Sequence, residues 1–347
     1  MPASQARPAA EPGGRSTMKD VAAAAGVGVK TVSRVVNEES GVGAATAARV
    51  REAIEALGYR RNDGARLLRQ GLRTGSVGLV IEDLADPFYA PLCRAVEEVA
   101  RRHGSLLFSG SSAQQPQRER DLVLAFCARR VDGLILVPTS ADHSYLLPEQ
   151  AAGTPIVCVD RPAAGLLTDT VLSDNARGAR EGVEHLLRAG HRRIGFLGDA
   201  PEIHTAAERL RGYCAALTAA GVPTREAWVS MSAPEPARLH LALERMLTGR
   251  RPVSALLCGN NRITVAALRE LAALPHRPAL VGFDDFELAD LLTVPVTVVA
   301  QDPARLGRTA AELLFARLSG ERGPAQWIEL PTRLIPRGSG ELPVRHA

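Results

Sequence analysis

No apolar run in this chain approaches the roughly 18 to 20 residues that a membrane helix needs. The opening "MPASQARPAAEPGGRST" also lacks the apolar segment of a secretion signal. Both absences lead us to expect a protein of the cytoplasm. Cysteine is sparse: Cys93, Cys127, Cys158, Cys214 and Cys258 are far apart, with no close pair for zinc or thiol exchange, so buried reduced thiols are expected. His185 and His191 are six apart, a spacing that does not put two metal ligands on one helical face. No G-x-S-x-G elbow appears. The "GVGVKT" stretch fails as a phosphate loop, because Lys30 follows valine and no glycine stands at the required upstream spacing. Nothing assembles a nucleophile with a base, so neither a catalytic residue nor a metal or cofactor is expected.

What is present is an ordinary globular composition, 46% hydrophobic and 23% charged over 347 residues, long enough for more than one domain. The net charge of +4 is unevenly placed. Residues 1–75 hold 12 Lys and Arg against 7 Asp and Glu, a balance of +5, and the remaining 30 against 31 leave −1. A basic first fifth suits a phosphate backbone, although solubility alone also favours exposed basic helices. Residues 1–16, rich in proline, alanine and glycine, have little to pack and are expected to form a disordered tail.

After the tail, Asp20 to Ala25 favours helix, Gly26 can end one in the left-handed conformation, and Val29 to Asn37 resumes helical spacing with Val32, Val35 and Val36 on an apolar side. Two short helices about a glycine corner make a helix-turn-helix, whose second helix enters the DNA major groove with its early residues toward the base edges. Val29 and Lys30 hold those early positions, and Arg34 lies one turn along the same face. Lysine and arginine donate to guanine O6 and N7, while Thr31 and Ser33 suit phosphates or the helix cap. A helical hairpin inside a larger all-helical domain fits the same pattern. A third amphipathic helix, "TAARVREAIEALGY", with Val50, Ile54 and Leu57 on one side, and then the basic "RRNDGARLLRQGLRTGS" favour the DNA-binding reading.

In order and spacing, "KDVAAAAGV", "TVSRVVN", "ALGYRRN" and "ARLLRQ" resemble the lactose-repressor (LacI/GalR) family of bacterial transcription regulators, from Thr17 almost to the last residues. The resemblance implies that Val29, Lys30 and Arg34 read bases, that Thr17, Thr31, Ser33 and Asn37 hold the DNA backbone, and that Tyr59 and Asn62 stand at the entrance to a hinge. It also implies a hinge helix that folds on the operator, with Leu68 as a minor-groove wedge beside Ala65 and Arg66. Gly28 and Gly43 stand where the family often has a side-chain cap, and Arg61 where it has proline.

From Ser76, short apolar runs such as "SVGLVI", "PIVCVD", "RIGFLG" and "PALVGF" alternate with charged amphipathic helices, which implies parallel sheets covered on both faces. The length suggests two such lobes. Ligands of such sheets sit beyond the carboxyl ends of the strands, where Asp86, Phe88, Tyr89, Ser111, Thr205, Arg209, Asn260 and Asp284 are candidates for a small polar ligand. Plain structural roles compete: Asp284 capping a following helix, Asn260 bracing its own turn, Phe88 in the core. By the resemblance, Arg209 and Asp284 match the family's most regular effector contacts, and Asn261 stands where an aspartate is common.

The resemblance further implies an all-α headpiece and hinge followed by a two-lobed periplasmic-binding-protein-like α/β domain, with the chain crossing between lobes near Asp160, Pro295 and Pro331. The expected boundaries are 17–61 for the headpiece, 62–75 for the hinge and 76–340 for the lobes, with a tail at 341–347. Lobe 1 takes about 76–160 and 297–330, and lobe 2 about 161–296 and the C-terminal end. No leucine heptads follow "RLIPRGSG", so a dimer is expected. The expected function is a DNA-binding regulator, a repressor of a palindromic operator controlled by a sugar or related metabolite. The alternative is a small-molecule-binding protein or α/β enzyme without operator binding.

Overall fold

The computed structural model describes residues 16–60, 73–233, 235–272, 274 and 277–344. It divides into two compact units, Met1–Thr74 and Gly75–Ala347. In the first, α1 (Met18–Ala25), α2 (Val29–Val36) and α3 (Ala44–Ala56) enclose a small core of Val21, Ala22, Ala25, Val32, Val50 and Ala53. Thr17 and Asp20 cap α1 reciprocally. Thr17 N and Oγ1 donate to the Asp20 carboxylate at 2.8 and 2.7 Å, and Asp20 N donates back to Thr17 Oγ1. These bonds hold the Asp20 carboxyl below its usual pKa. Gly26 ends the helix at φ +64°, a conformation that a Cβ makes costly.

Val35, Val36 and Ile54 pack on this core, but Leu57 does not. It stands past the last residue of α3 as its cap, so helical spacing no longer directs its side chain inward, and it is exposed. Its carbonyl accepts from Ser16 Oγ, which ties Ser16 to the headpiece rather than to the tail. The rest of the expected tail and the hinge residues Asn62, Ala65, Arg66 and Leu68 lie outside the described residues.

Among the described residues, the second unit holds two six-stranded sheets. The first contains β1 (Ser76–Ile81), β2 (Leu106–Ser111), β3 (Gly133–Leu136), β4 (Ile156–Val159), β5 (Asp169–Ser173) and β11 (Trp327–Leu330), the second β6 (Ile194–Gly198), β7 (Val229–Met231), β8 (Ala255–Cys258), β9 (Ala279–Phe283), β10 (Thr297–Ala300) and β12 (Arg333–Ile335). Their orders are β11-β5-β4-β3-β1-β2 and β12-β10-β9-β8-β6-β7, and only β12 runs antiparallel to its neighbour. Alternation builds the layers: Val77, Leu79 and Ile81 pack under the helices Tyr89–Arg102 and Pro303–Leu318, whereas Val80 faces the helix Pro116–Ala128. In lobe 2, Ala255 and Leu257 face the helices Asn175–Arg188 and His204–Ala219. Leu256 and Cys258 face Pro236–Thr248 and Asn261–Leu271. Gly212 lets the first pair of helices touch, since a Cβ there would sit 2.0 Å from Ala176 O.

Two lobe boundaries differ from expectation. The chain does not leave lobe 1 at Asp160: β5 pairs with β4 and β11, and Asp169 on β5 is forked by Arg317 of the lobe-1 helix at 2.8 Å through both oxygens. The first crossing therefore follows Ser173. The second follows Ala300, not Pro295, because β10 pairs with β9 and β12. A linear hydrophobic pattern marks strands but not their partners, so neither boundary was legible. Leu330 on β11 and Arg333 on β12 flank the third crossing. Residues 341–344 are no loose tail either: Glu341 bonds His185 Nε2 at 2.8 Å and Thr297 Oγ1 at 2.9 Å, and the Leu342 carbonyl meets His191 Nε2 at 2.9 Å. Both histidines thus have structural partners.

Candidate functional sites

The second helix of the headpiece buries Val32 and leaves Val29, Lys30 and Arg34 exposed, so one short helix carries a core face and a basic outer face. Thr31 and Ser33 are half-buried between them. Asn37, which ends the helix, donates through Nδ2 to Ser33 Oγ at 3.3 Å and to Glu39 Oε1 at 3.2 Å. Gly28 and Gly43 stand at the N-caps of α2 and α3 without side-chain hydrogen bonds. Tyr59 leans on the core, while Thr17 is exposed at the start of α1.

The lobes meet in a cleft built from the carboxyl ends of their strands. Four acids stand there, each directly after an apolar strand: Glu82 after β1, Asp160 after β4, Asp199 after β6 and Asp284 after β9. They form two pairs. The strand orders superpose β1 on β6 and β4 on β9, so Glu82 corresponds to Asp199 and Asp160 to Asp284. The second pair matches in detail: φ is +69° at Asp160 and +68° at Asp284, and each amide donates at 2.9 Å to the neighbouring strand, to Val171 O and Val299 O respectively. A left-handed aspartate is uncommon, and two at equivalent corners turn both carboxylates inward at some conformational cost.

All four acids are buried. Burial pushes the Asp160 carboxyl up to about 6 against the pull of Arg161 and Arg209. Burial raises Asp284 and Asp199 as well. Arg161 reaches the carboxylate of Glu82 and lies 3.5 Å from that of Asp160. Arg209 is held on three sides: Nε donates to Asn175 Oδ1 at 2.7 Å, Nη1 to Gly259 O at 2.6 Å, and the guanidinium lies 3.9 Å over the Phe283 ring. Its Nη1 stands 3.7 Å from Asp284 Oδ2, while Gln301 donates to Asp284 Oδ1 at 2.5 Å.

Seven of the eight residues singled out from the sequence line this cleft: Asp86, Phe88, Tyr89, Thr205, Arg209, Asn260 and Asp284. Ser111 does not. It ends β2, where its Oγ donates to the Glu82 carbonyl at 2.8 Å. Asp284 caps no helix, since turns follow it. Asn260 does brace its turn, accepting from Ile263 N at 2.8 Å, yet its Nδ2 also reaches Asp199 at 3.1 Å. Phe88 is partly buried and meets Tyr89 edge to face. Sequence reasoning missed Glu82, Asp160, Arg161, Asp199 and Gln301. The available signal was an acid closing an apolar run, in "VIE", "CVD", "FLGD" and "GFD".

The lobes are pinned across the cleft by Asn261 Nδ2, which donates to Asp86 Oδ1 at 2.9 Å, and by Arg262 at 3.6 Å from Asp83. The cavity between them is about 40 Å³, room for a few waters, so a larger ligand requires the lobes to part.

Residues 17–62 match the family described as bacterial regulatory proteins, lacI family, and residues 183–340 match a periplasmic binding protein-like domain. The HTH-type transcriptional repressor PurR of Mannheimia succiniciproducens is 30% identical over 93% of this chain and 98% of its own length. The chain belongs to the LacI family. Among solved structures, this LacI-family chain resembles the lac repressor dimer bound to operator and the anti-inducer ONPF, with 26% identity, a TM-score of 0.79 and coverage of 94% of this chain and 99% of that one. It also resembles a complex of the transcriptional regulator CelR with cellobiose, with 32% identity, a TM-score of 0.69 and coverage of 94% and 100%. The protein is a DNA-binding transcriptional regulator, and its relatives are regulators rather than enzymes. Among the described residues, no helix is long and apolar enough to cross a membrane.

Proposed function

We propose that this LacI-family regulator acts in the cytoplasm as a dimeric repressor of a palindromic operator, controlled by a small, uncharged polyhydroxylated metabolite such as a sugar in the inter-lobe cleft. The observation that carries the effector class is the excess of carboxylates. Glu82, Asp86, Asp160, Asp199 and Asp284 outnumber the buried Arg161 and Arg209, which are already engaged by protein partners. Carboxylates accept from hydroxyls and repel phosphate, so a neutral hydroxyl donor suits the cleft better than a phosphorylated one. Phe88 at its wall offers a ring face.

A ligand changes DNA binding only by binding two lobe arrangements unequally. Asn261–Asp86 and Arg262–Asp83 are the contacts that a change of lobe angle would break or make. The DNA reading assigns base contacts to Val29, Lys30 and Arg34, backbone contacts to Thr17, Thr31, Ser33 and Asn37, the hinge entrance to Tyr59 and Asn62, and the hinge to Ala65, Arg66 and Leu68. Exposed apolar side chains support the dimer: Leu106 and Phe108 on the edge strand β2, and Leu288 and Leu291 after β9. Phe108→Asp should lower the sedimenting mass to that of one chain, and an unchanged mass would remove β2 from the dimer interface.

Selection of bound sequences from a random duplex pool, repeated with sugars, nucleosides and small acids, tests the whole reading. A palindrome lost on adding a neutral sugar marks an inducer, and one gained marks a corepressor. Enrichment that responds only to phosphorylated or acidic ligands would refute the assigned effector class. Lys30→Ala should cost about 1–3 kcal/mol of discrimination at particular operator bases and spare salt-sensitive nonspecific binding. Equal losses on operator and random DNA would count against base reading.

A further inference from the structure

At the opposite edge of lobe 2, before the amino ends of β6 and β8, lies a groove of about 650 Å³ whose lining includes Arg192, Arg193, Arg225, Arg250 and Arg251 and, among the described residues, no aspartate or glutamate. It is built on a firm base. Trp228 is buried beneath it and donates from Nε1 to Arg251 O at 3.1 Å, and Arg193 Nε donates to Pro252 O at 2.6 Å. The Arg225 guanidinium lies 5.3 Å over the Trp228 ring, and its Nε is buried without a hydrogen-bond partner. Burying a guanidinium nitrogen unpaired is costly.

Arginines gather at such a face for an ordinary reason, because the helices His204–Ala219 and Pro236–Thr248 end beside the groove. Each helix C-terminus carries about half a negative charge, so two offset roughly one of the five positive charges. More than half of the arginine charge therefore remains unbalanced by the fold. The groove is open to solvent, its volume lies within the usual range for small-molecule sites, and guanidinium forks pair with oxyanions in two-point geometry.

We propose that this groove is a second ligand site, distinct from the cleft, for a multiply phosphorylated small molecule. The two sites have opposite charge character, carboxylate-rich in the cleft and arginine-rich here, so they select different metabolites.

The test titrates inorganic tripolyphosphate into the full chain by calorimetry at fixed ionic strength, comparing wild type with Arg192→Ala/Arg251→Ala, Arg225→Ala and the headpiece variant Arg34→Ala. Arg192 and Arg251 are exposed, so their removal should leave folding intact. The expected result is saturable binding by wild type and by Arg34→Ala, weakened about tenfold or more in the two groove variants. Undiminished binding in Arg192→Ala/Arg251→Ala, loss confined to Arg34→Ala, or no saturable binding by wild type would each overturn the proposal.

Discussion

Replacing Arg209 by alanine removes two short charge-assisted bonds, at 2.7 Å to Asn175 and 2.6 Å to Gly259 O, and the cation 3.7 Å from Asp284. Each charged hydrogen bond contributes about 1.5–3 kcal/mol, and a buried partner stranded by truncation costs more. Asp284 limits the damage, since burial already raises its pKa and a proton neutralises it. The expected destabilisation is about 3–5 kcal/mol. Asp284→Asn removes the longer contact, keeps an acceptor for Gln301 and leaves a single side-chain oxygen to serve the Asn261 amide as well, so it should cost about 1–2 kcal/mol. In the Asp284→Asn background no carboxylate is stranded, and the Arg209→Ala penalty should fall by about 1–3 kcal/mol. Urea unfolding followed by tryptophan fluorescence reads this cycle, with Trp228 buried in the same lobe as reporter. A cost below about 1 kcal/mol for Arg209→Ala, or a penalty unchanged by Asp284→Asn, would refute the claim that this arginine holds the cleft together. Because Asp284→Asn costs less stability than Arg209→Ala, it is also the better variant for ligand titration. A normal effector response in it would remove Asp284 from the ligand contacts.

The cleft acids also make stability depend on pH. The folded pKa of Asp160 is raised from 3.8 to about 6, so the folded state holds a proton that the unfolded chain has released, and stability present below 3.8 is lost as pH rises through about 6. The expected loss is about 2–2.5 kcal/mol between pH 4 and pH 7. Unfolding curves for Asp160→Asn should lack that part of the slope, and identical pH profiles would refute the assignment. Gly212→Ala should destabilise lobe 2 by about 1–3 kcal/mol, because the new methyl meets Ala176 O and the two helices must separate. A melting temperature equal to wild type would mean that the close approach is not required.

The headpiece was nearly all legible in the sequence, because its three helices are local. Thr17 and Asp20 cap α1, Gly26 turns the chain, and the spacing of Val32 and Val50 sets the core face, each within one or two turns. Leu57 escaped that logic only because the helix ends one residue before it. The alternation of apolar strands with amphipathic helices fixed the layered α/β class for the same local reason. Seven cleft residues could be placed because strand ends are visible as ends of apolar runs.

Partners in space are another matter. That β5 returns to lobe 1 depends on its ladders to β4 and β11 and on the fork between Asp169 and Arg317, 148 residues apart. That Glu82 and Arg161 meet, across 79 residues, follows from the order of strands within one sheet. The correspondence of Asp160 with Asp284 emerges only when two sheets of the same order face each other. A sequence written along one dimension specifies helix faces and strand ends directly. Which ends converge, and which charges must share one buried space, is decided by long-range hydrogen-bonded pairing in the folded chain.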